Sequence, residues 1–190
     1  MKFTRTAGLA MGIALVASAA FVPSADAADT VTLTITGGER TASVADFGLT
    51  AVGYSHSLQN TPGDMVLTAD DSTGSAAGWN VTILTSNFVH DGTGIDIPAT
   101  GFGLTSAAQP VATAGQAVVG TGLLGDAGPK VPMDVSPVGA LSDARKVVQA
   151  DAGFGQGTYT QALGVSLAIP ADTRAGTYTG LLTTTIAAAP

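Results

Sequence analysis

Gly53-Tyr54-Ser55-His56-Ser57 is the stretch whose residue types come nearest to nucleophilic chemistry: a serine after a glycine spacing, with an imidazole beside it. The elbow G-x-S-x-G exposes its serine on a strand-to-helix turn at the top of an α/β sheet. Here the fifth residue is Ser57, and no helical spacing follows. A polar turn is the reading. His56 and His90 are the only histidines, each among turn-forming residues. With no cysteine in the chain, aspartates would have to complete a shared metal site, and no spacing brings the two imidazoles together. Glu39 is the sole glutamate, and the aspartates stand mostly beside glycine, serine or proline, where turns use them. The paired carboxylates of a glycosidase are therefore not indicated. Asp64 with Asp70-Asp71, or Asp91 with Asp96, offers oxygen ligands of the kind calcium takes. Gly92-Thr93-Gly94-Ile95-Asp96 is similar to one unit of a calcium-binding repeat, but a single copy has nothing to stack upon. Asn80-Val81-Thr82 fits a glycosylation sequon and falls in the middle of an expected strand. The sequence thus predicts no catalytic residues, no cofactor and no metal.

The elements that would carry such residues begin after a leader. Lys2 and Arg5 precede an uncharged apolar run from Ala7 to Val22, and Ala25-Asp26-Ala27 offers small residues for cleavage. This is the pattern of a secretory signal over residues 1–27, with cleavage after Ala27 or one residue later. One domain is expected over residues 28–190, a length that supports a sizeable core without disulfides. The formal net charge is −7 at pH 7, and losing the leader, with two bases and one acid, makes it more negative still. Such a balance excludes the basic footprint of a nucleic-acid binder. The absence of cysteine excludes a lipoprotein anchor, thiol catalysis and cysteine-ligated zinc.

Trp79, the only tryptophan, opens the most informative strand. Trp79, Val81, Ile83 and Thr85 alternate with Asn80, Thr82, Leu84 and Ser86, the period of a half-buried strand. A polar turn, Asp70 to Gly74, leads into it through Gly78. The cleanest alternation of all is Val31-Thr32-Leu33-Thr34-Ile35-Thr36, which predicts a strand ending at Gly37-Gly38. Further strands are expected over Thr41–Phe47, around Leu49–Tyr54 and at Met65–Thr68, with a turn at Pro62-Gly63. Ile95 and Ile97 are expected to touch the core, and Phe102 and Leu104 to form another strand. From Pro110 to Pro137 glycines and prolines predict edge strands and loops. Leu141–Ala150 has candidate helix caps in Ser142 and Asp143 but reads as a strand. Tyr159–Ile169 places Leu163, Val165, Leu167 and Ile169 on one face. Through a seven-residue connection from Pro170 to Gly176 it is expected to form an antiparallel ribbon with Thr177–Ala187. Ten to twelve short strands with frequent turns predict an all-β, single-domain antiparallel β-sandwich.

Taken together, the turn running into Trp79 and the C-terminal stretch resemble the WxL-domain family, surface proteins of Gram-positive bacteria that attach non-covalently to the cell wall. The first motif of that family corresponds to Asp70-Asp71-Ser72-Thr73-Gly74 followed by Gly78-Trp79-Asn80-Val81, with Phe88 where the family commonly has an aromatic. The second corresponds to Gly176-Thr177-Tyr178 followed by Leu182-Thr183-Thr184-Thr185-Ile186. Val81 stands for the first leucine, Thr184 for the second tryptophan, and Ile186 for the second leucine, so the chain resembles a divergent, actinobacterial-type member. The resemblance implies a wall-binding motif at Gly78, Trp79, Val81, Tyr178, Leu182, Thr184 and Ile186. It also implies a cell-wall polymer, peptidoglycan or an attached glycan, as partner.

The residues themselves leave Trp79 two roles: a core plug, favoured by the apolar Val81 and Ile83 on its face, or a platform for sugar rings. Tyr54, Tyr159 and Tyr178 are the alternative platform. No apolar tail or Leu-Pro-x-Thr-Gly signal is present, so no transmembrane anchor is expected, and the protein should either be retained non-covalently or be released. The expectation is a secreted, non-enzymatic protein associated with the cell wall. The alternative is an assembly protein that pairs a strand edge with itself or with other exported surface proteins.

Overall fold

The computed structural model describes residues 31–120, 127–132 and 137–188; the leader expected over residues 1–27 lies outside them. Internal contacts divide the chain into a unit from Met1 to Thr34 and a unit from Ile35 to Pro190. All the described strands belong to the second unit: β1 (Arg40–Val44), β2 (Gln59–Asp71), β3 (Trp79–Thr85), β4 (Val89–His90), β5 (Phe102–Ala107), β6 (Val111–Gly115), β7 (Gly139–Ala140), β8 (Arg145–Ala150), β9 (Gly157–Ile169), β10 (Tyr178–Thr179) and β11 (Leu182–Ala188). The only helical element among the described residues is a single 3-10 turn, Ala99–Gly101. No described helix is long and apolar enough to cross a membrane.

The fold is an all-β antiparallel sandwich. Its spine is the pairing of β2 with β9, which runs unbroken from Gln59↔Ile169 to Asp71↔Gly157. β1 lies outside β2 along Leu67–Asp71 only. On the other side of β9, β5 covers the stretch Leu163–Leu167 and β6 the stretch Gly157–Thr160, and β7 extends β5. The second sheet has the order β11-β3-β8, and β10 pairs with β4 in a small separate ribbon. Period-two alternation explains both inner faces. β3 buries Trp79, Val81, Ile83 and Thr85, and β9 buries Leu163, Val165 and Leu167, as the sequence patterns predict. Ile169 is only half-buried, and the inner face of β9 also takes in Tyr159 and Gln161, which the sequence did not place there.

Five expectations are corrected. Val31–Thr36 forms no strand, because no described neighbour pairs with it. Val31, Leu33 and Ile35 are 94%, 82% and 86% exposed. Pro62-Gly63 is not a turn but lies inside β2, opposite Ser166 and Val165. The proline is tolerated because β1 does not cover that part of β2, so no ladder bond is asked of it on that side. Leu49–Tyr54 runs beside the same part of β2 without joining the sheet. The Thr61 hydroxyl donates to the Thr50 carbonyl at 2.7 Å, and Leu49 lies so close over Gly63 that an added Cβ would meet it at 2.6 Å. Ile95 is solvent-exposed, whereas Ile97 is in the core. Finally, β9 and the C-terminal strand do not form a ribbon. The expected strand breaks at Gly180-Leu181 into β10 and β11, and β11 crosses to the second sheet to pair with β3. Leu141–Ala150 is a strand over its second half, β8, and the edge reading of the 110–137 stretch holds for β6. The parts at 121–126 and 133–136, Val135 among them, lie outside the described residues.

Trp79 fills the centre of the sandwich and is 0% exposed. Its indole N–H donates to the Gly155 carbonyl at 2.8 Å, which removes the cost of burying a polar tip. Tyr159 packs beside it, ring centroids 6.0 Å apart, and its hydroxyl donates a hydrogen bond to the Gln116 carbonyl at 2.7 Å. Gly78 has φ +71, and a Cβ there would come within 2.6 Å of the Ala150 carbonyl oxygen, so only glycine admits the chain to β3.

At the margin of the β1–β2 pair, Arg40 faces Asp71 with a 2.9 Å ion pair, both side chains largely buried. Burial by itself would raise the Asp71 pKa. Hydrogen bonds from the Thr73 hydroxyl, the Arg40 guanidinium and the Thr73 backbone N–H, with the Arg40 charge, outweigh it and hold the carboxyl below its ordinary value.

Two expected outcomes follow from this packing. Trp79→Ala should lose about 3–5 kcal/mol of stability in chemical denaturation, and the wild-type indole should resist iodide quenching. Because the folded Asp71 pKa is depressed, its contribution is complete above the ordinary value of 3.8 and is lost as pH falls through the lower folded value. Asp71→Asn should therefore flatten the dependence of Tm on pH below about 4, measured by calorimetry.

Candidate functional site

The described surface carries one large cleft, of about 570 Å³, at the end of the sandwich where β2 begins and β9 ends. The connection from Phe47 to Ser55 forms one side of it, and the connection from Thr173 to Gly180, with Leu182, forms the other. Its deep end is apolar, because Phe102, Ile97 and Leu167 are core residues of the sandwich. Phe88 stands edge-on to Phe102 with ring centroids 5.2 Å apart. Arg174 is the single charged residue in the lining, which contains neither carboxylate nor imidazole.

The rim is polar and aromatic. Tyr54 is 60% exposed and stands edge-on to His56, ring centroids 5.1 Å apart. Asp172, from the opposite connection, accepts hydrogen bonds from the Tyr54 hydroxyl and from His56 Nδ1. The bond to Asp172 is also the main reason the Tyr54 hydroxyl titrates above its ordinary value. Asp172 N–H donates to the Ser55 carbonyl at 2.9 Å, so the two walls are tied together at the mouth.

Tyr178 is braced from behind by His90, whose ring meets it edge-on at 4.8 Å. His90 Nδ1 accepts the backbone N–H groups of Gly92 at 2.8 Å and Gly94 at 3.2 Å. Two donors aimed at one lone pair leave no room for a proton, so Nε2 carries it and donates to the Ala175 carbonyl at 3.3 Å. The Tyr178 hydroxyl donates to the Arg174 carbonyl at 2.9 Å.

The structure divides the seven motif residues. Trp79 and Val81 are in the core, and Gly78 is the turn that delivers them. Thr184 and Ile186 lie on β11, opposite Ile83 and Val81. The two halves of the motif are therefore neighbouring strands of one sheet. Only Tyr178 and Leu182 reach the cleft. Of the three tyrosines considered as a platform, Tyr159 is buried, and Tyr54 and Tyr178 line the cleft. Sequence reasoning missed the Phe47–Ser55 wall as a cleft element. The signal was the alternation of Phe47 and Leu49 in a stretch without a strand partner. It also missed Asp172, whose link to Tyr54 and His56 spans more than a hundred residues of chain.

Three of the five aspartates weighed as calcium ligands are hydrogen-bonded to protein groups. Asp70 accepts from Ser72 and Thr158, Asp71 from Arg40 and Thr73, and Asp96 from the His90 N–H. Among the described residues no group of three or more histidine or acidic side chains is placed to hold a metal ion. No family model, no curated protein and no solved structure matches this chain.

The His90 geometry makes a direct prediction. Long-range proton–nitrogen NMR should show His90 as the Nε2–H tautomer at neutral pH. His90→Ala should accelerate amide exchange at Gly92 and Gly94 while leaving the Trp79 environment unchanged.

Proposed function

We propose that this is an exported, non-enzymatic cell-surface protein that associates non-covalently with the cell wall. Its partner in this reading is peptidoglycan or an attached glycan. The observation that carries the reading is the rim of the cleft: an exposed tyrosine ring with a carboxylate and an imidazole fixed beside it. An exposed aromatic face flanked by hydrogen-bonding groups suits a sugar ring, which has an apolar face and hydroxyls at its edge. The absence of an acid pair in the cleft lining fits binding better than glycoside cleavage, which uses two carboxylates across the scissile bond. The order and spacing of the two motif halves, similar to those of the WxL-domain family, support the same partner. In this reading the motif builds the sandwich and Tyr54 makes the contact, with Tyr178 behind it.

The protein produced from Ala28 should sediment with purified Gram-positive cell walls. Tyr54→Ala removes an exposed side chain, so the fold should be unchanged within about 0.5 kcal/mol. Retention should fall by at least about fivefold, the loss of one aromatic contact of about 1 kcal/mol. Wild-type protein left in the supernatant at both low and high salt would overturn wall binding. Unchanged retention of Tyr54→Ala would overturn the rim as the contact.

A further inference from the structure

Two stretches of this chain have strand chemistry and no strand partner among the described residues. The first is Val31-Thr32-Leu33-Thr34-Ile35-Thr36, whose three aliphatic side chains are almost wholly in water. Isolated exposed hydrophobics need no explanation, but a strict period-two set of three on one side of a potential strand does. The second is Phe47–Tyr54, the open wall of the cleft, which follows β2 without a ladder and leaves its outer edge unpaired. An unpaired edge beside an apolar cleft is a template for an added strand whose alternate side chains enter the cleft.

The chain cannot satisfy its own cleft with its own segment. Gly38 is fastened to the far end of β2, its N–H donating to the Ser72 carbonyl at 2.8 Å. Gln59 and Thr61, which line the cleft, are eleven or more residues back along that strand, about 35 Å away. Val31 is seven residues before Gly38 and reaches about 24 Å at full extension, and Ile35 only about 10 Å. Covalent length therefore rules out self-insertion, while a second copy has no such restriction.

We propose that Val31–Thr36 is a donor strand, and that it pairs with the Phe47–Tyr54 edge of a second copy of this chain, placing Val31, Leu33 and Ile35 in that copy's cleft. Donor and acceptor are different stretches of the chain, so the contact is head-to-tail and each added copy offers a fresh cleft. The occupant fits the acceptor in chemistry: aliphatic side chains meet Phe102, Ile97 and Leu167, and the threonine face stays in water. The acceptor edge ends at Tyr54, whose ring makes the sugar contact proposed above, so the two sites adjoin in one cleft, and assembly would multiply weak wall contacts along a row of copies.

The test is sedimentation velocity on the protein produced from Ala28, from about 1 μM to about 1 mM, the range of weak specific contacts. It is joined to hydrogen exchange at the two ends of that range. Wild-type mass should rise with concentration, and amides of residues 31–36 and 47–54 should gain protection together. Leu33→Asp alters only an exposed side chain; native Trp79 fluorescence checks its fold, and it should weaken association by at least about tenfold. A wild-type mass that stays monomeric throughout overturns the proposal. So does association undiminished in Leu33→Asp, or protection gained at another edge. Wall sedimentation of Leu33→Asp separates the two readings: retained but monomeric protein supports both the donor strand and the Tyr54 contact. If wild-type protein self-associates but is not retained by walls, wall binding alone fails.

Discussion

The fold depends on an indole being both buried and hydrogen-bonded. Trp79 sits at the start of β3, and its N–H is met by the Gly155 carbonyl of the loop that enters β9. One side chain thus ties the first strand of one sheet to the approach of one of the two longest strands of the other. Without that acceptor, burying the polar end would cost about 1–3 kcal/mol, a large fraction of the stability of a domain this size. Gly78 and Tyr159 are part of the same constraint: one lets the backbone pass Ala150, and the other packs the ring and finds its own carbonyl partner. A chain with few aromatics concentrates its packing in few places, and here they coincide.

A second constraint governs what lies outside that core. The β2–β9 pair is thirteen residues long, but its other neighbours are short. β1 covers only five residues of β2, and β5 and β6 divide β9 between them. The uncovered half of β2 holds Pro62 and Gly63. The proline has no N–H to give a neighbouring strand, and the glycine makes room for Leu49. Beside those two residues the Phe47–Tyr54 stretch runs along β2 without a backbone ladder, held by the Thr61 hydroxyl on the Thr50 carbonyl. The same dipeptide that looks like a turn signal in the sequence lies in the strand beside the cleft, with Leu49 of the cleft wall packed over Gly63.

Inner faces were legible in the sequence because burial enforces period two directly. Trp79-Val81-Ile83-Thr85 and Leu163-Val165-Leu167 had no other arrangement available once the faces were assigned. Pairing was not legible, because alternation says which side of a strand is apolar and nothing about its neighbour. β9 and the C-terminal strand are close in sequence and were expected to pair, yet Tyr178-Thr179 pairs with β4 and the chain passes on to β3. The resemblance to a wall-binding motif pointed to seven residues, and only Tyr178 and Leu182 face the cleft. The rim could not be read because Asp172 meets Tyr54 and His56 only through the fold.

Val31–Thr36 is the sharpest case, since the strongest strand pattern in the chain belongs to no described strand. A period-two pattern records selection for burial on one face, and it does not specify whose sheet provides the burial. Within one molecule Gly38 is held at Ser72, and chain length keeps the preceding residues from the recess that would accept them. Alternating threonines maintain solubility on one side while valine, leucine and isoleucine remain in water on the other. In a monomer that arrangement has no compensating contact. The apolar recess beside Pro62 and Gly63 has the complementary deficiency, a wall of chain without a partner strand. In the proposed assembly these two unmet requirements of opposite kind are satisfied together when one copy meets another.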